Sequence, residues 1–345
     1  MFGQGRAEAD FLEAFSAGRM HSGWLITGPP GVGKATLAWK IATFLLADQG
    51  VGLFGDPSLA VDPEHPDARL IQSGAHPRLS LIRRPWDEKT KKLKSEITVD
   101  AVRNLKKFFH MSAADGGRRV VIVDAVDELN RNAANAILKE LEEPPAMATI
   151  LLVAHQPSRL LPTIRSRCRE LRCNRLSPFD LQQAISQSGH PSDQSESLAT
   201  LAGGSAGDAI RLLNHDGLPL YTEIVKTLGG LPRIDRPAAL RLADACVGRG
   251  ADVRFGMTLD LIDLFLSRAA RAGLMGEPAA QGAPGEARLL ARIAPDDRAA
   301  RRWAQLQQNL TERSRHGRAV NLDPAALILD MIFKIEETAQ ATAIA

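Results

Sequence analysis

The stretch GPPGVGKATL, residues 28–37, sets Gly28, Gly33 and Lys34 on the G-x-x-x-x-G-K-[ST] pattern of a loop that grips phosphate. The chemistry of such a loop is nucleotide binding. Its backbone N–H groups wrap the phosphates, the next helix adds the positive end of its dipole, and the lysine reaches the outer phosphates. Here the contacting stretch would run through Gly28, Pro29, Pro30, Gly31, Val32, Gly33, Lys34, Ala35 and Thr36. Ala35 holds the place whose hydroxyl normally ligates Mg²⁺, and Thr36, one residue later, is turned about 100° around a helix of 3.6 residues per turn. Thr36 is not expected to replace the lost ligand.

Two further sites belong to the same chemistry. VVIVDAVDE places Asp124 at the end of a strand expected to neighbour the loop, where a carboxylate holds the metal shell. The next residue, a water-polarising Glu in hydrolysing members of this class, is Ala125, while Asp127 and Glu128 are expected to face solvent or cap the following helix. Losing a metal ligand and a base together argues against efficient hydrolysis. In PTIRSRC, residues 162–168, Arg167 follows a short turn and precedes a strand. Alone it reads as a surface arginine; beside the other two sites it reads as an arginine finger offered to a neighbour's phosphate.

Strands and helices must position these groups. WLITG (24–28), RLSLI (78–82), VVIVD (120–124), TILLVA (149–154) and RELRC (169–173) read as short apolar strands. Helical patterns alternate with them, so the first portion of the chain is expected to be an α/β domain with a five-stranded parallel sheet. Ala134, Ile137, Leu138 and Leu141 recur at helical spacing before Pro144 and Pro145 stop the helix. Beyond about residue 175 the pattern is helical: Ser177 caps a helix opening at Pro178, and Gly203 with Gly204 separates a further pair of helices. Three domains are expected: 1–175 carrying the phosphate loop, a small helical lid at 176–235, and an all-helical collar at 236–345. In the last, Trp303, Leu306 and Leu310 share one helical stripe, with Arg301, Arg302, Arg313, Arg315 and Arg318 on its wet face.

Composition limits the alternatives. The 345 residues are 44% apolar and 24% charged with a formal charge of +3, which is globular and too weakly basic to argue for nucleic acid by itself. One Tyr, 11 Phe and 4 Trp offer no extended aromatic platform. Cys168, Cys173 and Cys246 form no C-x-x-C pair, so a reduced, cytoplasmic protein is expected, with no apolar run long enough to span a membrane. RRPWDEKTKKLKSE, residues 83–96, mixes charges without apolar spacing and reads as a solvated loop.

Together, GPPGVGK, VVIVDAVDELNRNAANAILKELEEPP and PSRLLPTIRSRC resemble the clamp-loader branch of the AAA+ ATPases, and most of all its bacterial delta-prime members. The resemblance covers roughly residues 1–215. It implies a hetero-pentameric ring in which tau or gamma subunits hydrolyse ATP, flanked by delta and by a rigid delta-prime member whose own nucleotide site is damaged. Such a ring opens a sliding clamp and places it on primed DNA. It further implies that Arg167 completes a neighbour's ATP site, and that ATP or ADP, with Mg²⁺ only alongside it, binds this chain weakly or not at all. The alternative is an ATP-hydrolysing subunit of tau or gamma type. Bacterial relatives usually carry a four-cysteine zinc module after the loop; residues 47–76 hold no cysteine, and Asp62, His65, Asp67 and His76 fit turn caps better than a zinc site. The nucleotide-sensing positions read His155 and Gly207, and Arg211 is not assigned the sensing role.

Overall fold

The computed structural model describes residues 1–47, 58–111, 117–190 and 194–343. The chain groups into two compact units, Met1–Ala184 with Ser205–Gly207, and Ile185–Gly204 with Asp208–Ala345.

In the first unit the order is α1 (Gly5–Ser16), β1 (Gly23–Thr27), α2 (Lys34–Leu46), α3 (Pro66–Gln72), β2 (Leu79–Arg83), β3 (Trp86–Asp87), β4 (Lys92–Leu93), α4 (Val99–Met111), β5 (Arg119–Asp124), α5 (Arg131–Glu142), β6 (Ala148–Val153), α6 (Pro162–Arg165), β7 (Arg169–Arg172) and α7 (Pro178–Gln187). The five long strands form one parallel sheet, β2-β5-β6-β1-β7. Its inner strands are continuous apolar runs because both faces are covered. Trp24, Ile26, Val120, Ile122, Leu151 and Val153 pack on one side with Phe11, Leu37 and Ile41. The residues between them, Leu25, Val121, Val123, Ile150 and Leu152, pack on the other with Leu105, Phe109, Ile137 and Leu141. All five strands expected from the sequence are present within a residue or two of their expected ends.

Two expectations change here. Residues 83–96 include a two-stranded antiparallel hairpin, β3 with β4, rather than loop alone. Asp87 nucleates it, since its Oδ1 accepts the backbone N–H groups of Lys89 (2.9 Å) and Thr90 (3.2 Å), and Lys94 N–H closes on Pro85 O at 2.9 Å. The cap of α5 is Asn130, whose Oδ1 accepts from Ala133 N–H at 2.9 Å, and neither Asp127 nor Glu128 takes that place. Asp127 and Glu128 lie in a 3₁₀ turn, Val126–Glu128, just upstream.

The second unit is helical in its described residues: α8 (Ser195–Ala202), α9 (Ala206–Asn214, with its first turn assigned to the first unit), α10 (Gly217–Leu228), α11 (Arg236–Asp244), α12 (Asp252–Met275), α13 (Glu286–Ile293), α14 (Asp297–Ala319) and α15 (Pro324–Ala343). The helices of the expected lid are divided, α7 lying largely in the first unit and α8 to α10 largely in the second, where the helices of the expected collar also lie. Trp303 is fully buried and its indole donates to Ile293 O at 2.8 Å, while Leu306 and Leu310 are buried on the same stripe. Arg301 and Arg313 pair outward with Asp297 and Asp330. Nothing in the amino-acid pattern announces the buried cluster around Glu286. Its carboxylate accepts from Tyr221 Oη, Arg268 Nε and Gly282 N–H, each at 2.5 Å.

Candidate nucleotide loop and arginine finger

The phosphate-loop residues lie where β1 runs into α2. Gly28, Gly31 and Gly33 all have positive φ, which lets the chain curl back over the helix N-terminus. At two of them space is also decisive. A Cβ on Gly28 would collide with the carbonyl oxygen of Cys173, and one on Gly31 with the Ser205 hydroxyl. The loop therefore sits directly beneath Ser205–Gly207, and Gly207 N–H donates to Gly31 O at 3.0 Å. The resemblance implies a sensing arginine at position 207; the glycine present there lets this segment lie against the loop, since a Cβ would collide with Gly31.

Lys34 is buried, and its ammonium donates to Gly28 O at 2.7 Å and Pro29 O at 2.6 Å. Two of its three N–H donors are thus engaged by its own loop. Burial pushes its pKa below the ordinary lysine range, partly offset by Cys173, Asp127 and Asp124. Ala35 is half-buried and Thr36 exposed. This donor set fits a phosphate, through N–H groups and a lysine, but supplies no hydroxyl from position 35 to a phosphate-bound cation.

Asp124 ends β5, whereas the loop follows β1, and β6 lies between those strands. The strand is thus one removed from the loop's own, not its neighbour as expected, though Asp124 still acts electrostatically on Lys34. Ala125 is buried. Asp127 is turned inward to the backbone: its carboxylate accepts from His155 N–H (2.9 Å) and Gln156 N–H (3.1 Å), fixing the segment that follows β6. His155 Nδ1 is buried with no hydrogen-bond partner among the described residues. Glu128 pairs with Arg84 at 2.9 Å.

Arg167 sits at the other end of the sheet. Strands β1 and β7 are parallel, and Arg169, at the start of β7, lies beside Trp24, at the start of β1. Gly28 lies past the far end of β1, so about 13 Å of strand separates the level of Trp24 from the loop at ~3.3 Å per residue. The guanidinium is held outward. Nη2 pairs with Glu142 Oε1 at 2.8 Å and Nη1 donates to Thr163 O at 3.0 Å, leaving the side chain 36% exposed. Glu142, at the end of α5, is the residue here that the motifs do not mark. Its only signal is its place in the stretch ELEEPP, which reads as a helix end. Burial pushes the pKa of the adjacent Cys168 up to about 12, which favours its neutral thiol at ordinary pH.

Between β1 and β2, the carboxylates and imidazoles at 62–76 cap turns. Asp62 Oδ1 accepts from Glu64 N–H (2.9 Å), His65 Nδ1 accepts from Asp67 N–H (3.3 Å), and His76 Nε2 meets Asp67 Oδ1 (3.1 Å). Among the described residues, no three His, Cys, Asp or Glu side chains gather as a metal site. No helix among them is long and apolar enough to cross a membrane.

Comparison with known proteins decides the family. Residues 3–177, just over half of the chain, match the family described as DNA polymerase III, delta subunit. The chain belongs to this family. It is 37% identical over 193 residues to DNA polymerase III subunit delta' of Pseudomonas aeruginosa, covering 55% of each chain. It is 33% identical over 209 residues to the delta' subunit of Escherichia coli, covering 59% of this chain and 58% of that one. A match to DNA polymerase III subunit tau of Salmonella typhimurium has 30% identity over 259 residues, covering 71% of this chain and 37% of that protein. The chain thus spans little more than half the length of the delta' relatives it matches.

Proposed function

We propose that this delta-family chain is a delta-prime type subunit of the DNA polymerase III clamp loader. In this reading it does not hydrolyse ATP itself and supplies Arg167 in trans to the ATP site of a neighbouring subunit. The observation that carries the reading is the separation of the two sites. A loop whose lysine is tied to its own carbonyls lies at one end of the sheet, and a surface-held arginine lies at the other, out of reach of that loop. An arginine so placed serves a phosphate brought by a partner or none.

The partners that follow are tau or gamma and delta subunits in a hetero-pentameric ring, acting in the cytoplasm on a sliding clamp and primed DNA. Residues 1–175, 176–235 and 236–345 serve as phosphate-loop domain, lid and collar. ATP or ADP binds the loop weakly or not at all, Mg²⁺ accompanies only the nucleotide, and zinc has no role. Any DNA polymerase activity belongs to the assembly. The match to tau, which extends over more of this chain than the delta' matches do, favours a second reading as an ATP-hydrolysing tau or gamma type subunit. Ala35, Ala125 and Gly207 weigh against it.

Two measurements test the proposal. The purified chain is expected to show no Mg²⁺-dependent ATP hydrolysis above background and to co-purify with tau or gamma and delta when mixed with them. Turnover abolished by Lys34→Ala would establish the second reading instead, and failure to assemble would remove the clamp-loader reading altogether.

A further inference from the structure

The hairpin of β3 and β4 lies outside both the phosphate loop and the segment that carries Arg167. Its segment, residues 83–96, holds six basic and three acidic residues. The acids are spent locally: Asp87 on the turn N–H groups, Glu88 on Lys91 at 2.9 Å, and Glu96 on Asn130 at 3.3 Å. Arg84 is drawn to Glu128. Arg83, Lys89, Lys92 and Lys94 remain, all exposed and in no ion pair among the described residues, though Lys94 also acts electrostatically on Asp87. Beside them Trp86 lies opposite Leu93 in the ladder, and both are about half exposed, at 52% and 49%. Lys92 and Lys94 flank Leu93 in sequence, so alternation sets their side chains on the face opposite Trp86 and Leu93, and Lys89 stands in the turn; one short ribbon thus carries an exposed apolar pair on one face and cationic groups along its other face and tip.

We infer that this hairpin is a contact for single-stranded DNA, with Trp86 stacking on a base and Lys89, Lys92 and Lys94 meeting the phosphates. Both halves of the ligand are matched. Stacking on one aromatic face is tolerant of sequence, and lysines are point charges that suit a phosphate backbone without demanding one geometry. An acidic protein surface is the other partner of positive charge, but protein interfaces are depleted in lysine, and a lysine-rich ribbon carrying one exposed tryptophan fits nucleic acid better. The low aromatic content of the chain bears on extended platforms and leaves a single stacking residue open.

The test uses the full chain alone, so it is independent of clamp-loader assembly. Fluorescein-labelled oligo(dT) is titrated at low ionic strength and followed by anisotropy, with circular dichroism to verify that each variant is folded. Trp86→Ala is expected to weaken binding about five- to a hundred-fold and Trp86→Phe to retain most of it. The triple change Lys89→Gln, Lys92→Gln, Lys94→Gln is expected to flatten the plot of log K against log salt by about 2, at ~0.7 for each phosphate no longer neutralised. Absence of binding, or binding indifferent to both sets of changes, overturns the inference. So does polyglutamate competing as well as DNA while Trp86→Ala has no effect, which would mark an acidic-protein surface instead.

Discussion

Lys34 and Arg167 carry opposite fates in one chain. Both are legible as residue types at set spacings, but what each side chain does is not. Spacing does not reveal that Lys34 folds back on Gly28 and Pro29 or that Glu142 holds Arg167 outward, because both depend on partners set by the tertiary fold. The cysteines give a pH prediction at this scale. Burial raises the Cys168 pKa to about 12 and that of Cys173 to about 11, from an ordinary value of 9.0. A raised pKa favours the folded state while the thiol is neutral. That contribution is whole below pH 9 and is lost as pH rises through about 11 and 12. Alkylation by iodoacetamide at a pH of about 8 is therefore expected to be slow at both thiols in the folded chain and fast in urea. Rapid labelling of Cys168 without denaturant would contradict the burial.

At the scale of elements, the sheet is readable because each inner strand is a run of apolar residues that alternate between two covered faces. The β3–β4 hairpin is not. Its apolar signal is a single pair, Trp86 with Leu93, and its turn is written in an aspartate rather than a glycine. The Glu286 cluster is also hidden, since it joins α10, α12 and α13 across distances in sequence that no periodicity records. It makes a stability prediction. Glu286→Ala leaves Arg268, which is nearly buried, without its partner, so it is expected to lower the stability of the second unit by about 3–5 kcal/mol in urea unfolding. Asp297→Ala removes an exposed i,i+4 pair with Arg301 and a carboxylate in the first turn of α14, and is expected to cost no more than about 1 kcal/mol. Equal effects would mean that the cluster contributes no more than a surface pair.

On the scale of the molecule, the first unit carries the family match and the loop, and its architecture follows from the alternation of strand and helix. The second unit lies wholly beyond the residues matched by the family, and only its helical character can be read from its pattern. On the proposed reading the first unit does not hydrolyse ATP, since Ala35 and Ala125 stand where a metal-binding hydroxyl and a water-polarising glutamate are expected. Isothermal titration of the whole chain with ATP and Mg²⁺ is accordingly expected to give weak heat or none. Tight binding lost with Lys34→Ala would show that the ammonium leaves its carbonyl partners readily.

Arg167 is the residue that carries the proposed trans-acting role, and the most direct measurement is ATP turnover by tau or gamma in a complex reconstituted with this chain or with its Arg167→Ala variant. The prediction is an intact complex whose hydrolysis at the site facing Arg167 falls by about 10³–10⁵, the usual contribution of an arginine supplied in trans. An intact complex with unchanged turnover at that site would contradict it.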